Sequence, residues 1–314
     1  MCYIFTNKMN IPMRNYFLGL VALLLISCKP SAPATDETQA IAGDTSVSTV
    51  VNIPGLNRLW DTDKTLTTAE SVLYDKANDV LYVSCINGVP PDKKDGDGFI
   101  SRIGLDGKIK DLKWVTGLNG PKGMGQSGNT LYVTDIDRLV SIDVTTGKIS
   151  NTWKVDGSSF LNDVHVTADG AVYFTDSNTS TVYSLMNGKV NTVVADTSLG
   201  GTNGILIEGN TMYLAGFMSG NVYKMDMTTK AIEKIATEVP GGDGVERYDG
   251  SLLVSNWSGQ LYHLSPDGEV TLLLDSQEAK LNAADIEVIA DKNLLLVPTF
   301  FGNSVTAYEL VKNN

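Results

Sequence analysis

The feature that most constrains this chain is a unit of about 40 residues that recurs six times. One copy reads Leu161-Asn162-Asp163-Val164-His165-Val166, a turn at Asp169-Gly170, and then Ala171-Val172-Tyr173-Phe174-Thr175-Asp176. After a short gap come Thr181-Val182-Tyr183-Ser184-Leu185 and a second turn at Asn187-Gly188. Short runs rich in Val and Tyr, punctuated by Gly, Asp and Asn, predict antiparallel strands joined by hairpins. The unit opens at Glu70, Lys122, Asn162, Asn203, Asp243 and Asp285, with spacings of 52, 40, 41, 40 and 42. Its second strand recurs as Leu81-Tyr82-Val83, Leu131-Tyr132-Val133, Val172-Tyr173-Phe174, Met212-Tyr213-Leu214, Leu252-Leu253-Val254 and Leu294-Leu295-Leu296. Several short strands per period of this length predict an all-β, six-bladed β-propeller rather than a solenoid, which would need capping repeats that the sequence lacks.

The ends of the repeat array support closure of a ring. The last unit stops at its third strand, Ser304 to Leu310, and the run Leu56-Asn57-Arg58-Leu59-Trp60 stands just before the first unit. The N-terminal run is therefore expected to complete the last blade and to remove an open sheet edge. The propeller is expected over residues 51–314.

In such a ring the first strands line the axis, so their opening residues face one another. All six openers are polar. The residues two further on, Val72, Met124, Val164, Ile205, Val245 and Glu287, are apolar in five cases, as packing between blades requires. Three carboxylates and two amides converging from separate strands offer only oxygen, a set that suits a hard cation such as Ca²⁺ or Mg²⁺. A water-filled polar channel is the plainer alternative. Lys122 belongs to the same ring; it could pair with Glu70 or Asp285 and stand in for part of a cation's charge, or contact a substrate. The connections expected around the same mouth carry Phe217-Met218, Asn256-Trp257 and Phe300-Phe301. Phe217, Trp257 and Phe300 are candidates for stacking on a ring-shaped substrate, unless they only pack between blades. The first unit is longer than the rest by an insertion at 86–98, which should lie on that same face.

On these residues the chain resembles the gluconolactonase and senescence-marker-protein family, also called regucalcin-like proteins. The likeness spans roughly residues 51–314 and rests on Ala69-Glu70-Ser71-Val72, Leu161-Asn162-Asp163, Thr202-Asn203-Gly204 and Gly242-Asp243-Gly244-Val245. It implies a divalent metal in the axial pocket, held by Glu70, Asn203 and Asp243, with Asn162 touching substrate or a metal-bound water. It also implies a lactone-opening activity. Calcium is the expected ion, with Mg, Mn or Zn as alternatives. Asp243 would double as general base. Two departures bear on substrate: Phe160 stands where sugar-lactone hydrolases of the family usually carry Arg, and Lys122 enters the ring.

The N-terminus reads as a targeting segment. Lys8 and Arg14 precede an apolar run from Tyr16 to Ile26, too short for a permanent membrane helix, and Leu25-Ile26-Ser27-Cys28 resembles a bacterial lipobox. Residues 1–27 are expected to be a signal peptide, Cys28 the lipidated N-terminus, and residues 28–50, rich in Ser, Thr, Ala and Pro, a tether. The protein is then an exported lipoprotein of the cell envelope, held to the membrane by its lipid alone. Without residues 1–27 the chain has 22 basic and 36 acidic residues, a charge of −14, which argues against nucleic-acid partners.

Cys85 is left as a lone cysteine, expected to be a packing residue. His165 and His263 fall in different units with no partner at a useful spacing, and Asp92–Gly98 lacks the register of a calcium loop. No nucleophile elbow, zinc-protease motif or phosphate loop occurs. The expected function is metal-dependent hydrolysis of a lactone or related cyclic ester, with a small-molecule substrate such as a sugar lactone. The rival expectation is a non-catalytic propeller that binds a ligand or protein.

Overall fold

The computed structural model describes residues 53–312. The expected signal peptide, Cys28 and the expected tether, residues 1–50, fall outside the described residues.

Six four-stranded antiparallel sheets form the blades. The first comprises Ala69–Asp75, Val80–Cys85, Gly98–Ile103 and Ile109–Leu118, and the next four repeat this order. The sixth takes its inner strands from Glu287–Ile289, Leu294–Pro298 and Val305–Val311, and its outer strand from Gly55–Asp61. That outer strand pairs in antiparallel register, with Leu56 opposite Leu310 and Arg58 opposite Tyr308. Ring closure by residues 56–60 is therefore present as expected.

The blades pack through apolar clusters that alternate around the ring. Leu81 and Val83 of blade one meet Leu296, Val305 and Ala307 of blade six, and Tyr82 and Ile100 meet Met124, Leu131 and Val140 of blade two. Burial of these side chains against the neighbouring sheet is what stabilises each blade in the ring, at ~25 cal/mol per Å² of apolar surface removed from water.

The sixth blade corrects the sequence reading by one residue. Glu287 pairs with Leu296 just as His165 pairs with Tyr173 and Glu246 with Leu253. The equivalent of Asn162 and Asn203 is then Ala284, not Asp285. Hydroxyls of the second strands mark the same position: Thr175 Oγ1 donates to the Asn203 carbonyl at 2.7 Å and Ser255 Oγ to the Ala284 carbonyl at 2.7 Å. With this register Ile286 replaces Glu287 among the residues packed between blades. That ring becomes wholly apolar and buried: Val72, Met124, Val164, Ile205, Val245 and Ile286.

In blades two to five the pairing of the first two strands skips over the opening residue and its successor, as between Leu161 and Val164. A bulge of this kind re-aims side chains and is common beside functional sites. It lets the openers leave the sheet plane at the mouth of the axis. The first strands also approach closely. A Cβ on Gly204 would overlap the carbonyl oxygen of Asp243, so only glycine fits there.

Candidate functional site

A cavity of about 390 Å³ opens at one end of the axis and gathers Glu70, Lys122, Asn162, Asn203, Asp243, Phe217, Trp257 and Phe300. Five of the six openers and the three candidate stacking residues are thus brought together, although they come from five blades and three loops. Asp285, read as a sixth opener, does not line this cavity but the one at the opposite mouth. Phe300 and Phe301 represent blade six here instead. Of the 86–98 insertion, Ile86, Val89 and Pro91 reach the wall, so the insertion does lie on the pocket face.

Local sequence explains how the openers are held. Asp135, at the end of a second strand, accepts from the amides of Asn119 and Gly120, the latter at 2.7 Å, and so fixes the turn that leads into Lys122. Asp176 does the same for Ser159 and Phe160 ahead of Asn162. In blade five the Asn256 side-chain amide donates to the carbonyl of Pro240, just before Asp243.

The floor is polar and buried. Glu70, Asn203 and Asp243 are all buried. Asn203 Nδ2 donates to Asp243 Oδ1 at 2.9 Å, which turns the amide oxygen away from that carboxylate. The reverse amide orientation would set two oxygens against each other. Asn203 Oδ1 and Glu70 Oε2 are consequently buried acceptors with no hydrogen-bond partner. Buried polar atoms are nearly always satisfied, so a pair of orphans lining one cavity is informative. Burial, reinforced by the charge of Asp243, pushes the Glu70 carboxyl well above its usual range, and Lys122 offsets this only in part. Burial, with the charge of Asp285, likewise raises Asp243 against the opposing hydrogen bond from Asn203.

This donor set passes a simple test for a hard cation. Two carboxylates and an amide supply oxygen only, and two of those oxygens lack any partner. Among the described residues no group of three or more His, Cys, Asp and Glu is arranged to hold a metal, so a site here depends on the Asn203 amide.

Lys122 does not fill the centre of the ring. Its ammonium donates to the Gly120 carbonyl at 3.1 Å and the Pro91 carbonyl at 3.4 Å, and lies 4.3 Å from the centre of the Phe160 ring. It forms no ion pair with Glu70. Burial lowers its pKa, while the charge of Glu70 works in the opposite direction. Asn162 donates through Nδ2 to Ser177 Oγ at 3.0 Å, and Ser177 Oγ in turn donates to the Thr202 carbonyl at 3.0 Å.

Sequence reasoning missed Ser177 as part of the wall. Met218 and Phe301, placed by the sequence on the connections around the mouth but not among the stacking candidates, line it too. No signal in the sequence pointed to Ser177, because its partners come from two blades. Cys85 is fully buried and its thiol pKa is raised by burial, which agrees with a packing role. His165 and His263 lie outside the cavity.

The fold and the cavity define a six-bladed propeller with a polar floor at one end of its axis. The SMP-30/gluconolactonase/LRE-like region model matches residues 68–286. The chain belongs to that family. Among curated protein sequences none matches it. Among solved structures, a gluconolactonase from Xanthomonas campestris is 18% identical with a TM-score of 0.60, over 78% of this chain and 86% of its own. An inactive variant of virginiamycin B lyase from Staphylococcus aureus, solved with quinupristin, is 16% identical with a TM-score of 0.59, over 82% and 100%. The nidogen–laminin complex holds a chain 15% identical with a TM-score of 0.54, over 66% and 79%. At such identities these structures share the fold, and the fold alone carries several unrelated roles.

Proposed function

We propose that the protein is a metal-dependent hydrolase that opens a lactone or related cyclic ester in this cavity. The observation that carries the reading is the pair of orphaned oxygens, Glu70 Oε2 and Asn203 Oδ1, lining the same cavity as Asp243 in a chain of this family. Glu70, Asn203 and Asp243 would hold one divalent cation, Ca²⁺ by preference, and three side chains leave room for water among its 6–8 ligands. When bound, the ion supplies Lewis-acid polarisation of a carbonyl oxygen.

The remaining roles belong to the chain. Asp243 keeps one oxygen engaged by Asn203 and has the other to take a proton from the attacking water, as a general base. Asn162, fixed through Ser177, orients water or the ester. Lys122, tied to Gly120 and Pro91, bounds the cavity on the side of Phe160 and adds positive potential near Glu70. The exported, lipid-anchored state read from Cys28 is part of the same proposal. Cys28→Ser is expected to abolish lipid labelling and move the protein to the soluble fraction.

The test is hydrolysis of a panel of γ- and δ-lactones by the full chain, before and after chelation and with Ca²⁺ restored. Activity should vanish on chelation and return with the ion. Retained activity after chelation contradicts metal dependence. No hydrolysis of any ester by calcium-loaded protein favours the non-catalytic propeller.

A further inference from the structure

The pocket divides into a polar floor and an apolar wall, and the wall identifies a class of substrate. We propose that the site takes cyclic esters bearing a bulky alkyl or aryl substituent, in preference to polyhydroxylated sugar lactones. This rests on the hydrolase reading above and narrows it.

Three aromatic rings form one side of the wall. Trp257, Phe300 and Phe301 pack edge to face with centroids 4.9–5.7 Å apart, so they brace one another and present a preformed surface. On the opposite side Phe160 lies against the Lys122 ammonium. The lysine, the one cation of the ring and a natural donor to a hydroxyl group, is instead committed to two backbone carbonyls and an aromatic face. The polar side chains above the floor are also engaged: Ser177 bonds Asn162 and the Thr202 carbonyl, and Asn178 Nδ2 donates to Ser159 Oγ at 3.1 Å.

The rim continues the pattern. Val89, Met218 and Phe301 are 60%, 68% and 53% exposed, and they are three of the seven large hydrophobic side chains exposed among the described residues. All three line this one cavity. Such clustering marks a ligand-binding surface, whereas single exposed apolar residues need no explanation. A substituent leaving the ester ring toward the mouth would therefore exchange water for Met218, Phe301 and Val89.

A sugar lactone meets this wall poorly. An aromatic ring can cover one face of it, but the hydroxyls around its edge need donors and acceptors. Each hydroxyl left unpaired on burial weakens binding by on the order of tenfold. Each methylene buried there strengthens binding about fourfold. The two trends run in opposite directions, and that makes the proposal easy to test.

The experiment compares kcat/KM of the calcium-loaded full chain on γ-butyrolactone, γ-octalactone, γ-dodecalactone and glucono-δ-lactone. The expected result is a rise with alkyl length, steepest over the first methylenes, and a glucono-δ-lactone value at least about 100-fold below γ-octalactone, as two unpaired hydroxyls would impose. Met218→Ala and Phe301→Ala should lower the ratio of γ-dodecalactone to γ-butyrolactone turnover. A flat series, or glucono-δ-lactone as the best substrate, overturns the proposal while leaving the hydrolase reading intact. If no lactone is hydrolysed, the hydrolase reading fails and the pocket is tested separately by titrating the corresponding alkyl lactams against tryptophan fluorescence. Affinity that rises with chain length, with a signal lost in Trp257→Phe, upholds the apolar pocket; absence of any binding overturns it.

Discussion

The two ends of the axis are built by the same six strands, yet they differ in what they offer a ligand. One end holds Glu70, Asn203 and Asp243 on the floor of a cavity of about 390 Å³. The other, reached three residues further along each strand, holds His165, Glu246 and Glu287 around a cavity of about 250 Å³. The far end is the richer in titratable groups, but its two glutamates are half-buried and leave no orphaned oxygen. The single buried acceptor without a partner there is Gln126 Oε1. The near end has fully buried openers and two orphans on separate strands. Between them lie the apolar ring and the acids Asp163 and Asp285, which line the far cavity. Asp285 is tied to Ser71 Oγ at 2.6 Å, and burial moves its carboxyl up to about 6. The near end thus has fewer charges but more unpaired, desolvated oxygen, and on the proposed reading it is that unpaired oxygen a hard cation would satisfy.

Substitutions at the two ends should separate sharply. Asp243→Asn keeps an oxygen ligand and loses the proton acceptor, so lactone turnover should fall about 10²–10⁴-fold, the usual contribution of a general base. Glu246→Gln at the far mouth should change kcat less than about twofold, measured on the same substrate. A large loss in Glu246→Gln would mean that the far mouth takes part in the chemistry.

Backbone spacing gives the next effect. In Gly204→Ala the new methyl meets the Asp243 carbonyl, a backbone atom that cannot step aside. Overpacking of this kind costs ~1–3 kcal/mol, and the strain falls on both Asn203 and Asp243. Thermal unfolding and calcium affinity should drop together. Toward the far mouth, a methyl on Gly125 meets mainly the side-chain methyls of Val166 and Val164, which can rotate. Gly125→Ala should therefore be the milder change in both measurements.

The smallest expected effect is a pH dependence at the far mouth. Burial, and then the charge of Asp285, pushes Glu287 up to about 8, above the usual glutamate value of 4.5. Between those values the folded state holds a proton that the unfolded chain has released. The stability this contributes is fully present below about 4.5 and is lost as pH rises through about 8. Glu287→Gln stays neutral throughout. Its Tm should therefore gain on the wild-type value by a few degrees between pH 5 and pH 8. His165, lowered to about 4 by burial, stays neutral over that range and adds nothing. A constant Tm difference would remove Glu287 from the account.

Much of this contrast was legible in the sequence, because a propeller writes its axis into a period. Polar openers, an apolar ring behind them and a stray fourth strand at the N-terminus sufficed for the blade count, ring closure and five of the six openers. Blade six misled because Asp285 and Glu287 flank Ile286, so an acid stands at the opening position in the wrong register. The cue was present in the pattern: the misplaced register put Glu287 into an otherwise apolar ring. The aromatic wall was half legible, through Phe217, Trp257 and Phe300. The commitment of Lys122 to Phe160 and of Ser177 to the Thr202 carbonyl was not, since each joins a blade to its neighbour through contacts that no repeat spacing states.

The most direct test is calorimetric titration of Ca²⁺ into chelator-treated wild-type protein, Glu70→Gln and Glu287→Gln. The account predicts one saturable site in the wild type, affinity at least about tenfold weaker in Glu70→Gln from the loss of a carboxylate charge at a hard cation, and wild-type affinity in Glu287→Gln. No saturable binding of Ca²⁺, Mg²⁺, Mn²⁺ or Zn²⁺ by the wild type, or a site lost in Glu287→Gln and kept in Glu70→Gln, would contradict it.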